Sequence, residues 1–294
     1  MCDEISKKIS ESIGAPFLVA KRQSIGGGCI NSAYMLSDGK RQFFLKTNDA
    51  SKIEMFKAEA DGLDEIVRSN AIRAPRPVCV GVTQHQAFLV MEYIQLNSAI
   101  TNTNSHIQFG RDLAIMHKNT QTRYGWVKNN TIGSTPQIND PEDDWVVFWR
   151  DKRLGFQLKL AATKGYQGRL QQRGDKLMAS LSGFFANYTP AASLLHGDLW
   201  SGNYTFDESG TPVIFDPAVY FGDREADLAM TELFGGFSAE FYTAYNEQYP
   251  LHNDYPLRKT LYNLYHIINH LNLFGSGYLS QAENMIDRLL SEVG

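Results

Sequence analysis

The rest of the chain is organised around residues 196–216, with the sequence HGDLWSGNYTFDESGTPVIFD. Within it, residues 204–206 and 212–215 are short runs of apolar, β-branched and aromatic residues, and the DESG between them is typical of a turn. The pattern predicts a β-hairpin. Because the two ends of an antiparallel hairpin meet, we expect Asn203 before the first strand and Asp216 after the second to lie side by side.

Asp198 lies on the same loop, five positions before Asn203. Carboxylate and amide oxygens are ligands that suit Mg²⁺. An Asp, an Asn five positions later and a metal-binding Asp after a hairpin also follow the order of the protein-kinase catalytic loop. Asp198 would then accept the proton of a substrate hydroxyl, while Asn203 and Asp216 would hold metal against nucleotide phosphates. The alternative is a surface hairpin whose Asp and Asn residues only form turns.

The composition is that of an ordinary soluble globular protein. The chain has 294 residues, of which 43% are hydrophobic and 20% charged, so it can bury a substantial core. A formal net charge of -4 gives no basic footprint for nucleic acid. No apolar run is long enough to span a bilayer, and MCDEISKKIS carries charges where a signal peptide would be apolar. We therefore expect a cytoplasmic protein with neither a nucleic-acid nor a membrane partner.

Three cysteines, Cys2, Cys29 and Cys79, are scattered without paired spacing, which indicates neither a disulfide framework nor a zinc site. Cys29 follows Gly26, Gly27 and Gly28 in a bend between two expected strands. Such a bend lets backbone N–H groups approach phosphates. Because three glycines are weak evidence, a plain loop is the alternative, and the sequence has neither a Walker A motif nor the spaced glycines of a protein kinase.

Lys46 and Glu59 form a candidate ion pair. Lys46 ends the expected strand 43–46, and in the expected helix 53–69 Glu59 shares a face with Leu63. A carboxylate on a core-facing stripe needs a partner, and Lys46 is the natural cation. In a kinase this pair holds the lysine against the nucleotide phosphates. The alternative places both charges in water.

AFLVMEYI, residues 87–94, is the second strand of another expected hairpin and is followed by a polar stretch. We interpret this change in composition as a linker between a small β-rich lobe, residues 1–94, and a larger helical lobe, residues 95–294. Backbone groups of residues 92–94, namely Glu92, Tyr93 and Ile94, could hydrogen-bond an adenine edge. A simple exit from a sheet to a loop is the other interpretation.

In the second half, His117 has helical spacing with apolar neighbours and is expected in the core rather than as a ligand. Residues 129–139 are expected to be irregular, and residues 144–158 helical. Asp223 and Asp227 lie four apart at the start of an expected helix, where carboxylates stabilise the dipole. We interpret them first as structural supports of the catalytic loop.

Several motifs resemble those of one known family, the fructosamine kinase (ketosamine 3-kinase) family. They cover nearly the whole chain: GGGCIN, FLK, LVMEYI, YGW, NNTIG, PQIN, HGDLWSGN, IFDPA, ELFGGF and NHLNLFGSGY. The Trp in HGDLWSGN and the DPA triplet are specific to that family, whereas protein kinases have Arg before the catalytic Asp and Phe-Gly after the metal Asp.

The resemblance implies an α+β, protein kinase-like fold, with an antiparallel sheet and one helix in the N-lobe and a mainly helical C-lobe, similar to aminoglycoside phosphotransferases. It implies ATP- and Mg²⁺-dependent phosphorylation of the 3-hydroxyl of ketosamines, whose 3-phosphates break down and release the amine. By position, Asp198 is the catalytic base, Asn203 and Asp216 are metal ligands, and Lys46 contacts phosphate. Residues 92–94 form the adenine hinge.

Two residues, Trp200 and Cys29, each have two possible roles. Trp200, beside the base, could pack on the sugar or on a protonated amine by cation–π attraction, or could be core that fixes the loop. Cys29 could be an acidified, redox-sensitive thiol or an inert small side chain.

The competing functions are phosphorylation of another hydroxyl compound, such as an aminoglycoside, choline or a sugar, and nucleotide binding by a pseudokinase. The physiological ketosamine and the oligomeric state do not follow from the sequence.

Overall fold

The computed structural model describes residues 2–26, 31–97 and 102–293. The first part of the chain forms an antiparallel sheet with the strand order β1-β2-β3-β5-β4. Its elements are α1 (Cys2–Ile13), β1 (Lys21–Ile25), β2 (Ser32–Ser37), β3 (Gln42–Asp49), α2 (Ile53–Arg68), β4 (Pro77–Val82) and β5 (Gln86–Glu92). The predicted helix α2 and the predicted hairpin β4–β5 are confirmed, and β1 and β2 are the strands expected on the two sides of the glycine-rich bend.

Lys46 lies inside β3, and the prediction that it ends the strand is wrong. β3 continues with Thr47, Asn48 and Asp49, which pair with β5 as far as Gln86. Because β3 is central, with β2 on one side and β5 on the other, backbone pairing continues although these side chains are polar.

The two faces of the sheet are both covered. Alternate residues of β5 point to opposite sides: Phe88 and Val90 pack with α1, whereas Leu89 and Met91 belong to the larger core that includes α2. Lys46 follows Leu45, which packs on the α1 side, so it points to the α2 side. This alternation directs the lysine toward Glu59.

The second part of the chain is mainly helical. Its elements are α3 (Thr103–His117), β6 (Thr120–Gln121), β7 (Asn130–Ile132), β8 (Thr135–Gln137), α4 (Trp145–Phe148), α5 (Gly155–Thr163), α6 (Arg169–Ala179), β9 (Ala192–Leu195), β10 (Tyr204–Phe206), β11 (Pro212–Ile214), β12 (Tyr220–Gly222), α7 (Glu225–Leu233), α8 (Ala239–Gln248), α9 (Tyr255–Phe274) and α10 (Leu279–Val293). The mixed fold is thus of the α+β class, with the sheet in the first part and helices in the second.

One expectation for this part needs correction and another is confirmed. Residues 129–139 contain the hairpin β7–β8, although polar residues had indicated an irregular segment. The side chain of Asn139 explains part of this order, because its amide donates to the carbonyl of Lys128 and to Asn130. The helix expected over residues 144–158 is continuous through a π-helical segment, Trp149–Leu154, into α5.

One core cluster contains residues of both parts, for example Phe56 and Leu89 with Phe109 and Leu195. The division into lobes 1–94 and 95–294 therefore stays a prediction. Among the described residues, no helix is both long enough and apolar enough to cross a membrane.

Candidate active site

The hairpin brings Asn203 and Asp216 together as predicted. Tyr204 pairs with Ile214, and the N–H of Phe215 donates to the carbonyl of Asn203 (3.0 Å). The next residue, Asp216, has a φ of 58°. This left-handed conformation is uncommon for a residue other than glycine, and such strain is typical of functional sites.

Lys46 connects the sheet to the hairpin. Its ammonium lies 2.5 Å from Oε1 of Glu59 and also binds Oδ1 of Asp216. The lysine is buried, and burial alone would lower its pKa. The carboxylates of Asp216 and Glu59 outweigh that effect and raise the pKa of Lys46, so the ammonium stays charged. The Lys46–Glu59 ion pair is confirmed, and the alternative of two solvated charges is wrong.

Asn203 orients the side chain of Asp198. Its Nδ2 donates to the carbonyl of Asp198 (2.9 Å) and to Oδ2 of that residue (3.3 Å). Both partners are acceptors, so the amide nitrogen must face them and Oδ1 points away. Burial raises the pKa of Asp198 to about 7, and repulsion from Asp216 adds to the effect. A carboxylate whose pKa lies near neutral pH is suited to act as a general base.

The loop that carries Asp198 is hydrogen-bonded to Asp227 in α7. Its two carboxylate oxygens accept the backbone N–H groups of His196 (2.7 Å) and Gly197 (2.8 Å). Gly197 has a φ of 82°, and a Cβ there would lie 2.1 Å from the carbonyl oxygen of Ala218. Asp227 is thus a structural support of the loop, and only glycine fits at residue 197.

His117 is a core residue, as predicted, and completes this support. Its Nε2 lies 3.2 Å from Oδ2 of Asp227, and its Nδ1 lies 2.7 Å from the hydroxyl of Tyr245. Burial lowers the pKa of His117. A neutral ring with its proton on Nε2 donates to the carboxylate and accepts from Tyr245, which satisfies all three groups.

Asp223 has a different position from the one expected. Among the described residues its carboxylate makes no hydrogen bond to the loop; it accepts hydrogen bonds from the hydroxyls of Tyr188 (3.0 Å) and Tyr262 (2.6 Å). It also accepts the N–H of Glu225, the first residue of α7 (3.0 Å). Asp223 therefore fixes the start of the helix from which Asp227 reaches the loop.

The glycine-rich bend is described only in part. Gly26 is exposed, and a Cβ there would meet no atom within 4 Å. Gly27, Gly28 and Cys29 lie outside the described residues. At the far end of the bend, Asn31 accepts a hydrogen bond from Asn48 of β3 (2.7 Å), two residues beyond Lys46.

The expected adenine hinge follows β5. The N–H of Glu92 donates to the carbonyl of Arg76 (2.8 Å), so this group is not available to adenine. The N–H groups for that role are therefore those of Tyr93 or Ile94. The carboxylate of Glu92 pairs with Arg73 (3.1 Å), which also binds Asp207 in the turn of the catalytic hairpin. Arg73 lies outside any periodic pattern in the sequence, and its two carboxylate partners are distant along the chain, so sequence reasoning missed it.

Trp200 lies at the edge of the site with 38% of its surface exposed. Its ring contacts that of Phe234 edge-on, with 6.3 Å between centroids, and covers Gly202. The side chain is therefore both packed against the loop and accessible from the solvent.

The donor set fits Mg²⁺. Asn203 presents Oδ1, and the side chain of Asp216 is about half exposed, with Oδ2 not engaged by Lys46. Within the described ranges, no group of three or more His, Cys, Asp or Glu side chains could hold a metal ion. One carboxylate and one amide, completed by phosphate and water oxygens, is a typical Mg²⁺ site and a poor zinc site.

Comparisons with known proteins find relatives over most of the chain. The chain is 42% identical over 275 residues to a chloroplastic protein-ribulosamine 3-kinase of Arabidopsis thaliana, covering 92% of this chain and 83% of the relative. It is 43% identical over 287 residues to a protein of Synechocystis sp. named as a probable ketoamine kinase, covering 97% and 96%.

Solved structures extend the likeness to the fold. A crystal structure from Haemophilus somnus, whose name places it among the fructosamine-3-kinases, has a TM-score of 0.88 at 30% identity, with 97% and 96% of the two chains covered. The aminoglycoside phosphotransferase APH(4)-Ia has a TM-score of 0.60 at 15% identity over 100% of both chains, which shows a shared fold alone. The sequence model of the fructosamine kinase family matches residues 1–292, and the chain belongs to this family of ATP-dependent phosphotransferases.

Proposed function

We propose that the protein transfers the γ-phosphate of ATP to the 3-hydroxyl of ketosamines. The observation that carries the proposal is the contact of Lys46 with both Glu59 and Asp216, because it joins the sheet to the catalytic hairpin at one point. Relatives named as a ketoamine kinase and a ribulosamine 3-kinase support this substrate class.

In this proposal Asp198 is the catalytic base. The hydroxyl oxygen of the acceptor forms a bond to the γ-phosphorus, the bond from that phosphorus to the β–γ bridging oxygen breaks, and ADP leaves. Asp198 orients the hydroxyl and accepts its proton, while Asn203 holds the carboxylate in place. Little covalent chemistry is required of the protein, so positioning and charge neutralisation dominate.

The phosphates are bound by cations and backbone donors. Lys46 would contact them from the sheet, with Glu59 holding its ammonium, and the residues 26–28 would cover them with N–H groups. Asn203 and Asp216 would hold Mg²⁺, which neutralises charge on the phosphates when bound. Adenine would meet the backbone of residues 92–94, with Glu92 limited to its carbonyl.

Trp200 would pack against the acceptor, since it is two residues from the base and partly exposed. Phosphorylation at the 3-hydroxyl would lead to release of the amine, which makes the activity one of deglycation. We place it in the cytoplasm, where the free thiols Cys2 and Cys79 are stable.

An assay of ADP release tests the proposal. The panel contains fructosamines, ribulosamines, erythrulosamines, aminoglycosides and choline. We expect turnover of ketosamines, reduced about 10²- to 10⁴-fold by Asp198→Asn because a positioned base contributes that much. Glu208→Gln, an exposed change in the turn of the same hairpin, is the matched control and should retain activity.

Turnover of aminoglycosides or choline alone would contradict the ketosamine proposal while leaving the kinase mechanism intact. Nucleotide binding without turnover of any acceptor would indicate a pseudokinase.

A further inference from the structure

The hairpin β7–β8 contains most of the motifs NNTIG (129–133) and PQIN (136–139), and it supplies no residue to the proposed chemistry. Its polar side chains are nevertheless buried, since Gln137 and Asn139 are only 1% and 0% exposed. Burying an amide is unfavourable unless it is hydrogen-bonded. The partners of these amides therefore show what the hairpin holds in place.

Two amides of the hairpin bind the backbone that follows the proposed metal ligand Asp216. Nε2 of Gln137 donates to the carbonyl of Ala218 (2.9 Å), and Nδ2 of Asn130 donates to the carbonyl of Val219 (2.8 Å). A single residue separates Asp216 from the first of these carbonyls. The backbone beyond Asp216 therefore cannot shift without breaking two hydrogen bonds.

The orientation of both amides is fixed by the groups behind them. Oδ1 of Asn130 accepts from Gln137 (2.9 Å) and from Asn139 (2.9 Å), so its nitrogen must face the backbone. Oε1 of Gln137 accepts the hydroxyl of Tyr265 in α9 (2.9 Å), which leaves its nitrogen to donate. The network thus directs both amide nitrogens toward the carbonyls beyond Asp216.

A fully buried arginine fixes the other end of the network. Nη2 of Arg153 donates to Oδ1 of Asn139 (2.7 Å), and Nη1 donates to the carbonyl of Ile138 (2.6 Å). The guanidinium also lies over the ring of Tyr220 in β12, 4.0 Å from its centroid. Because hydrogen bonds from a charged donor are stronger than those between neutral groups, the amides are firmly attached to the helical part of the chain.

Asp216 requires restraint from both sides because its φ is 58°. A residue other than glycine keeps such a conformation only where its surroundings enforce it. On the preceding side, the N–H of Phe215 donates to the carbonyl of Asn203 (3.0 Å), and Nε2 of His196 lies 3.0 Å from the carbonyl of Phe215. The amides of β7–β8 supply the restraint on the following side.

We propose that Gln137 and Asn130 are positioning residues, which hold Asp216 in its left-handed conformation and orient its carboxylate for Mg²⁺. The inference rests on the proposed function and deepens it. Oδ1 of Asp216 binds Lys46, whereas Oδ2 does not, so a rotation of this backbone would displace the oxygen that is offered to the metal. The amides make and break no bond in the reaction and touch neither nucleotide nor acceptor.

Binding of Mn²⁺ in the presence of ADP tests this role without turnover, since electron paramagnetic resonance of free Mn²⁺ gives a Kd. Gln137→Leu removes the amide and keeps a side chain of similar size. We expect the Kd to rise about 10- to 100-fold, which is typical when a group that orients a metal ligand is removed. The kcat for the ketosamine should fall as well, with little change in its KM, because the acceptor does not contact the amide.

Gln171→Leu in α6 is the matched control. The amide nitrogen of Gln171 also donates to two backbone carbonyls, those of Leu158 (3.1 Å) and Tyr166 (2.8 Å), which belong to α5 and the loop that follows it. The control should lose stability in urea denaturation while its Kd for Mn²⁺ stays that of the wild type.

Tyr265→Phe is a milder variant, because it removes only the hydroxyl that orients Gln137 and keeps the ring in the core. Its Kd for Mn²⁺ should rise about two- to fivefold, as expected for the loss of one neutral hydrogen bond. If Gln137→Leu does not fold, this Kd decides alone. Reduced stability with a wild-type Kd in the folded variants would overturn the positioning role.

The proposed function can fail separately. Wild-type protein that binds Mn²⁺ with ADP but turns over no ketosamine would contradict the ketosamine activity. A rise in Kd in the two variants would then still support the role of the amides at Asp216.

Discussion

Lys46 dominates the electrostatics of the site because one buried ammonium faces two carboxylates. Glu59 belongs to the core-facing side of α2, whereas Asp216 reaches out of the hairpin with about half of its side chain exposed. The two contacts therefore differ in kind. The buried carboxylate of Glu59 requires the charge of Lys46 to remain stable, whereas the half-exposed carboxylate of Asp216 can bind another cation in place of Lys46.

Lys46→Met should reduce both the stability and the activity of the protein. The variant leaves Glu59 buried without a cation, which we expect to reduce the free energy of unfolding by about 3–5 kcal/mol. It should also reduce kcat by about 100-fold or more, since a preorganised charge on the phosphates is lost. Urea denaturation and steady-state ADP release measure the two effects.

Adding Glu59→Gln to Lys46→Met should restore much of the stability and none of the activity, because it removes the unpaired charge but not the missing cation. Recovery of kcat in the double variant would show that Lys46 acts only through folding. Lys40→Met, in an exposed turn, controls for the substitution itself.

At the level of helices and strands, local patterns were sufficient wherever hydrophobic periodicity was clear. The catalytic hairpin, α2 and the β4–β5 hairpin were predictable, and so was the pairing of Lys46 with Glu59. The hairpin at residues 130–137 was not, because it is held by side-chain amides such as those of Asn130 and Gln137 rather than by an apolar pattern.

Long-range contacts account for what the sequence did not reveal about the site. Arg73 binds Glu92 and Asp207, which are 19 and 134 residues away. Asp223 was placed at the loop by its spacing from Asp227, yet it binds tyrosines from two distant segments. Spacing along one helix gives no information about which distant side chains meet there.

The packing of α3 on α8 depends on Gly110. A Cβ at this position would lie 2.3 Å from the carbonyl oxygen of Phe241 and 2.9 Å from the nitrogen of Tyr245. Gly110→Ala should therefore separate the helices and reduce the free energy of unfolding by about 1–3 kcal/mol. Gly277→Ala, where an added Cβ meets nothing within 4 Å, should leave it nearly unchanged. Chemical denaturation of the two variants gives the comparison, and equal stability would show that the helices tolerate the methyl group.

At the scale of the whole molecule, the loop after α2 couples the two ends of the site. Ile214 in β11 lies two residues before Asp216, and its N–H donates to the carbonyl of Arg73 (3.0 Å). The side chain of Arg73 reaches Glu92 at the expected hinge. The expected adenine hinge and Asp216, the proposed metal ligand, are thus connected through Arg73 in addition to Lys46.

Buried histidines make the stability of the whole molecule depend on pH. Burial, with repulsion from His270, lowers the pKa of His266 to about 3, against an ordinary value of 6.5. Burial also lowers the pKa of His117 and His196. Below pH 6.5 these histidines take up protons in the unfolded chain, whereas in the folded protein they do so only at a lower pH. The stability is therefore complete above that pH and is lost as the pH falls toward 3.

His266→Gln should remove one such contribution. Between pH 7 and pH 5, the free energy of unfolding of the wild type should fall by about 2 kcal/mol more than that of the variant, since each pKa unit corresponds to 1.36 kcal/mol. Urea denaturation at a series of pH values measures this difference. His85→Gln is the matched control, because His85 is exposed to water in the folded chain and its replacement should leave the slope unchanged. If His266→Gln and wild type lost stability in parallel, the ring would have to accept its proton in the folded core, which its burial opposes.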